Sequence, residues 1–107
     1  MNFELRVKRL LEDCGYHVIK KGKGFDLLAI KGDIALVIEC KDWNRNITGK
    51  TLRRIVRKLR AECRKIENSY LLRGKTVIPI LVTSGGVDSY RTDVRILTFE
   101  ELRSILE

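Results

Sequence analysis

Apolar residues recur at helical spacing at Phe3, Val7, Leu10, Leu11 and Cys14, and Gly15 stands where a helix would stop, so the pattern predicts an amphipathic helix over 2–14. Tyr16 to Ile19 reads as a short strand, and Lys20-Lys21-Gly22-Lys23-Gly24 as a polar loop ending at Phe25. Two aliphatic strands follow, Phe25 to Lys31 and Ile34 to Lys41, separated by Gly32-Asp33, a pair suited to a type II′ hairpin turn. After a stretch with little strand character, Asp42 to Gly49, helical spacing returns at Leu52, Ile55, Val56, Leu59, Cys63 and Ile66, predicting a long amphipathic helix over 49–67. Thr76 to Thr83 is an aliphatic strand whose Pro79 suits an edge position or a bulge. Val94 to Leu97 is a short strand, and Thr98 with Glu101 three residues later forms a capping box for a last helix over 99–106.

Both strands of the central hairpin are apolar on both faces, which requires helices on each side of the sheet. The expected class is therefore α/β, an α-β-β-β-α-β order with a mixed central sheet, a short further strand and a closing helix. At 107 residues the chain has room for one core, so residues 1–107 are expected to form a single domain with one compact site.

The hairpin also makes a chemical prediction. If Gly32 and Asp33 are the two loop residues, Lys31 pairs with Ile34, and stepping back along both strands brings Asp26 opposite Glu39. Residues directly opposite share a face, with Cβ atoms about 4.5–5.5 Å apart, and Lys41 points the same way because side chains alternate. The rest of that face is Leu28, Ile30, Ala35 and Val37, so two carboxylates stand at the end of a buried hairpin. Partly buried like charges are costly unless a cation lies between them. Mg²⁺ or Mn²⁺ answers that need: Mg²⁺ prefers hard oxygen ligands and is commonly held by one or two carboxylates, and the backbone carbonyl of Cys40 is a further candidate oxygen. An isolated Glu39-x-Lys41 reads far more readily as a surface ion pair, with Asp26 capping a turn; the register with Asp26 is what turns the balance toward a site.

Charge narrows the partner. Lys and Arg number 22 against 14 Asp and Glu, a net charge of +8, and this field favours a polyanion, of which nucleic acid is the commonest for a basic domain. Cys14, Cys40 and Cys63 are far apart, show no CxxC or Cys/His cluster and fall at apolar positions, which argues against zinc and disulfides and for a reducing, cytoplasmic setting. His17, the only histidine, is expected to be structural. With neither a signal-peptide pattern nor a long apolar run, no membrane partner is expected.

On these residues the chain resembles the PD-(D/E)XK nuclease superfamily, especially archaeal Holliday junction resolvases and the catalytic domains of Mrr-like restriction endonucleases. The matching pieces are Phe3-Glu4 with Val7, Leu10 and Leu11; Gly15-Tyr16-His17-Val18; Gly24-Phe25-Asp26-Leu27-Leu28-Ala29; and Val37-Ile38-Glu39-Cys40-Lys41. The resemblance implies a restriction endonuclease-like core and a metal-dependent DNA endonuclease acting on branched or double-stranded DNA. Asp26 and Glu39 would bind the divalent metal, Lys41 would assist catalysis, and Glu4 maps onto a further site residue of the first helix. Glu4 lies about 75° from the centre of the helix's apolar face, which also suits an exposed pair with Lys8. The superfamily's leading proline is absent, since Phe25 precedes Asp26. A non-catalytic nucleic-acid-binding or assembly subunit with the same fold is the alternative.

The expected DNA-binding surface comprises Lys20, Lys21 and Lys23 in the loop before Asp26, Trp43 and Arg45 just after Lys41, and Lys50, Arg53, Arg54 and Arg57 on the second helix, whose polar face is almost entirely cationic. Trp43 suits either stacking on a base or covering a sheet edge. A homodimer is compatible with cutting both strands, although no sequence feature marks its interface.

Overall fold

A computed structural model describes residues 1–43, 46–87, 90 and 92–107. Its elements are α1 (Phe3–Asp13), β1 (His17–Lys20), β2 (Leu27–Lys31), β3 (Ile34–Lys41), α2 (Gly49–Ile66), β4 (Thr76–Thr83), β5 (Arg95–Thr98) and α3 (Phe99–Leu106). The five strands form one mixed sheet in the order β1-β2-β3-β4-β5. The β1–β2 and β2–β3 pairs are antiparallel, whereas β3–β4 and β4–β5 are parallel. α2 is the crossover that makes β3 and β4 parallel.

Helices cover both faces, as the doubly apolar hairpin requires. Phe3, Val7 and Leu11 of α1 and Leu102 of α3 pack against Leu27, Ala29, Leu36, Ile38, Ile80 and Val82. On the other face, Leu52, Ile55, Val56, Leu59 and Cys63 of α2 pack against Leu28, Ala35, Val37 and Leu81. Thr98 accepts a hydrogen bond from the Glu101 backbone while the Glu101 carboxylate accepts from the Thr98 N–H, so the expected capping box is formed. Pro79 lies inside the sheet rather than on an edge strand. It pairs with Val37 on one flank, and β5 does not join the other flank until Ile80, so the missing proline N–H falls where the ladder to β5 has not begun.

Gly32 adopts φ +60° and no described non-glycine residue has positive φ, which is the type II′ pattern at Gly32-Asp33. From Lys31↔Ile34 to Leu27↔Ile38 the register follows the sequence prediction. It does not extend unbroken to Asp26. The Asp26 N–H donates to the Ile38 carbonyl at 3.0 Å, so Asp26 and Leu27 stand together against one residue of β3, the pattern of a β-bulge. The faces agree: Phe25 and Leu28 share the α2-side core although three residues apart, while Leu27 packs on the opposite side. Strict alternation would have placed Phe25 with Leu27. The bulge instead buries the Phe25 ring under α2, worth roughly 1.5–3 kcal/mol, against the roughly 0.5–1.5 kcal/mol of one ladder hydrogen bond.

A candidate active site at the bulge

Beyond the bulge the backbone of β2 no longer meets β3 in a regular ladder, and the side chain of Asp26 takes over that pairing. Its Oδ2 accepts a 2.7 Å hydrogen bond from the backbone N–H of Cys40. Asp26 thereby reaches the segment that carries Glu39 and Lys41 without standing directly opposite Glu39 as the simple register predicted. Backbone pairing continues on its other flank, where the Lys21 N–H donates to the Asp26 carbonyl at 2.8 Å.

Glu39 and Lys41 share one face of β3, as the alternation requires, with Lys41 Nζ 3.6 Å from the Glu39 carboxylate. The Glu39 side chain is only 14% exposed. Burial, then a hydrogen bond with the Asp26 side chain and the Asp26 charge, push its pKa up to about 7, against the opposing pull of Lys41 and Lys58. Two cations therefore do not compensate the acidic pair. Cys40 packs toward the opposite face, where burial and the charges of Asp26, Glu4 and Glu39 hold its thiol far above the ordinary range.

A cleft of about 490 Å³ opens beside Asp26, walled by Cys40 and Asp42, by Asn2, Phe3 and Glu4 at the start of α1, and by Lys20, Lys21 and Gly22. Asn2 caps α1 by accepting from the Leu5 N–H at 2.8 Å. Glu4 faces this cleft and pairs with Lys20 at 3.4 Å rather than with Lys8, so the structure brings it toward Asp26 without joining it to the carboxylate pair. Lys23 lies further along the same loop.

Lys50, Arg53, Arg54 and Arg57 are exposed along α2, and none of the four holds a described carboxylate within 4.0 Å. Trp43 is half-buried and packs against the α2-side core just beyond the end of the central strand β3, with Lys41 Nζ 6.0 Å from its ring centroid. Arg45 lies outside the described residues. Two residues that sequence reasoning missed come close to the site. Asp42 enters the cleft wall, as its alternation with Cys40 would have allowed one to anticipate. Lys58 acts on Glu39 from α2, and no local pattern distinguishes it from its cationic neighbours.

Among the described residues no three His, Cys, Asp or Glu side chains form a metal-binding group. A closed zinc-type cage is therefore not what these residues offer. Two under-compensated carboxylates with one Asp26 oxygen already bonded to Cys40 do fit a hard divalent ion that takes few protein ligands and draws its remaining oxygens from water and phosphate. No described helix is long and apolar enough to cross a membrane.

A search of curated proteins finds no match. A family model described as a restriction endonuclease, of the Mrr catalytic type, matches residues 1–73, about two-thirds of the chain and the stretch that holds Glu4, Asp26, Glu39 and Lys41. The sheet order, the helices on both faces and this match agree: the chain belongs to the Mrr-type restriction endonuclease family and has a nuclease-type domain of the PD-(D/E)XK class.

Proposed function

We propose that this protein is a divalent-metal-dependent endonuclease that hydrolyses phosphodiester bonds in double-stranded or branched DNA, with residues 1–107 acting as one catalytic unit. The observation that carries the reading is the part-buried Asp26–Glu39 pair: burial first, then the hydrogen bond and charge of Asp26, push Glu39 up to about 7 despite Lys41 and Lys58. Asp26 and Glu39 would hold Mg²⁺ or Mn²⁺, with the Cys40 carbonyl as a further oxygen. Such an ion supplies Lewis acidity at the phosphate and makes water a better nucleophile. The chain's own contribution is orientation and charge. The Cys40 N–H fixes the Asp26 carboxylate, Lys41 neutralises charge growing on the phosphate, and Glu4 with Lys20 shapes the wall along which the strand enters.

The test is cleavage of linear, nicked and four-way-junction DNA with and without Mg²⁺ or Mn²⁺, with Asp26→Ala and Lys41→Ala beside the unaltered protein. Metal-dependent cutting lost in both variants is expected. Cutting that survives both would remove the site assignment, and salt-sensitive binding with no cutting of any substrate would make the protein a nucleic-acid-binding subunit instead.

A further inference from the structure

The loop between β1 and Asp26 has two sides. One side walls the cleft beside Asp26. The other walls a second groove of about 390 Å³, closed on its far side by Glu62 and Lys65 of α2, with Lys23 on its rim and Phe25 and Ile66 beneath. Lys20, Lys21 and Gly22 line both spaces, so this stretch of the loop is a ridge common to the two. The second groove contains neither Asp26 nor Glu39.

The loop is braced from α2. Gly24 has φ +88°, and a side chain there would begin 2.5 Å from Glu62 Oε2, so the Glu62 carboxylate rests directly against the Gly24 backbone. Only glycine permits both the conformation and that approach. Glu62 also draws Lys65 to 3.3 Å, which sets the ammonium at the groove's rim. The cations across the groove are differently committed. Lys20 is turned to Glu4 on the cleft side, whereas neither Lys21 nor Lys23, both exposed, has a described carboxylate within 4.0 Å.

The field around the groove is strongly one-sided. α2 carries eight cations against the single carboxylate of Glu62, a net +7 of the chain's +8, while α3 carries two glutamates against one arginine. A chain of phosphates leaving the cleft over the Lys20-Lys21-Gly22 ridge therefore descends into a groove rimmed by ammonium groups and backed by a cationic helix.

We infer that this groove seats a backbone phosphate of the bound polynucleotide, neighbouring the one in the cleft, with Lys23 and Lys65 as its cations and Glu62 as the brace that keeps the lysine loop in place. The inference rests on the nuclease reading for the strand in the cleft, but its prediction concerns binding and can be read without turnover. Phosphate contacts of this kind position a strand and carry no sequence information.

The experiment is duplex DNA binding by fluorescence anisotropy over a series of salt concentrations, without added metal. It compares the unaltered protein, Lys23→Ala/Lys65→Ala, and a charge-matched control, Arg9→Ala/Arg103→Ala, altered on the exposed α1–α3 side. The groove variant is expected to lower the slope of log affinity against log salt by about 1–2, since each duplex phosphate contact contributes about 0.9. The control is expected to leave the slope within error. Equal loss in both variants would mean that only overall charge matters, and an unchanged slope in the groove variant would mean that no phosphate sits there; either result overturns the inference. Circular dichroism of the variants excludes misfolding as the cause. Cleavage assays on the unaltered protein decide the nuclease reading separately, so either conclusion can fail while the other stands.

Discussion

The carboxylate of Asp26 accepts the backbone N–H of Cys40 at 2.7 Å, and Cys40 is the residue between Glu39 and Lys41. A side chain here does what a strand backbone would otherwise do. The bulge ends the regular ladder at Leu27, the Asp26 carboxylate bonds the next available donor of β3, and the acidic group is thereby fixed beside Glu39. The same contact that completes the fold also assembles the candidate site, and this dual role makes the two separable by substitution.

Asp26→Asn keeps an oxygen acceptor for the Cys40 N–H but removes the charge. It is expected to fold with an unchanged or slightly higher denaturation midpoint and to lose roughly 100-fold or more of metal-dependent cleavage. Asp26→Ala, which leaves that part-buried donor without its partner, is expected to lose cleavage and also about 1–3 kcal/mol of stability. Urea denaturation of the two variants side by side checks the distinction; equal stability would show that the hydrogen bond contributes nothing to the fold.

Glu39 predicts a pH dependence of stability with a defined sign. Its folded value of about 7 lies above its ordinary value of 4.5, so the folded protein holds the proton more tightly than the unfolded chain does. Stability from this group is fully present below about pH 4.5 and is lost as pH rises through about 7. Glu39→Gln is therefore expected to be more stable than the parent at pH 8, by on the order of 1–3 kcal/mol, with the gap closing toward pH 4.5. Thermal melts of both proteins across that range measure it, and parallel curves would refute the assignment. Added Mg²⁺ should raise the parent's melting temperature at pH 8 more than that of the Gln variant.

Trp43, the only tryptophan, reports on its own placement. Because the ring packs against the α2-side core, Trp43→Ala is expected to cost roughly 1–3 kcal/mol, below the range for a fully buried aromatic. Its fluorescence should shift to the red on unfolding. A destabilisation under about 0.5 kcal/mol combined with a large loss of DNA affinity would instead place the ring on the substrate.

Gly24 and Gly32 both have positive φ, at +88° and +60°, but only Gly24 faces an obstacle. Gly32→Ala meets open space and Gly24→Ala meets only the movable end of the Glu62 side chain, so each should cost about 1–2 kcal/mol of backbone strain. The Gly24 variant should also displace the Glu62 carboxylate. Because Gly24→Ala and Glu62→Ala remove the same contact, their combined effect should differ from the sum of the single effects, and a fully additive double-mutant cycle in denaturant unfolding would contradict the contact between Gly24 and Glu62.

The sequence by itself determined the helices, the capping box at Thr98, the type II′ turn and the register of the hairpin from Lys31↔Ile34 to Leu27↔Ile38, because each follows from spacing or turn chemistry over a few residues. It also marked Asp26, Glu39 and Lys41 as neighbours. Tertiary structure decided where that pattern stops. Burying Phe25 under α2 bulges the strand at Asp26, so the carboxylate meets Glu39 through a side-chain bond to Cys40 rather than across a regular ladder. It also decided that Glu4 pairs with Lys20 and not Lys8, that Lys58 bears on Glu39, and that Glu62 rests on Gly24. These contacts join α1 and α2 to loops and strands distant in sequence, and only packing the helices onto both faces of the sheet creates them.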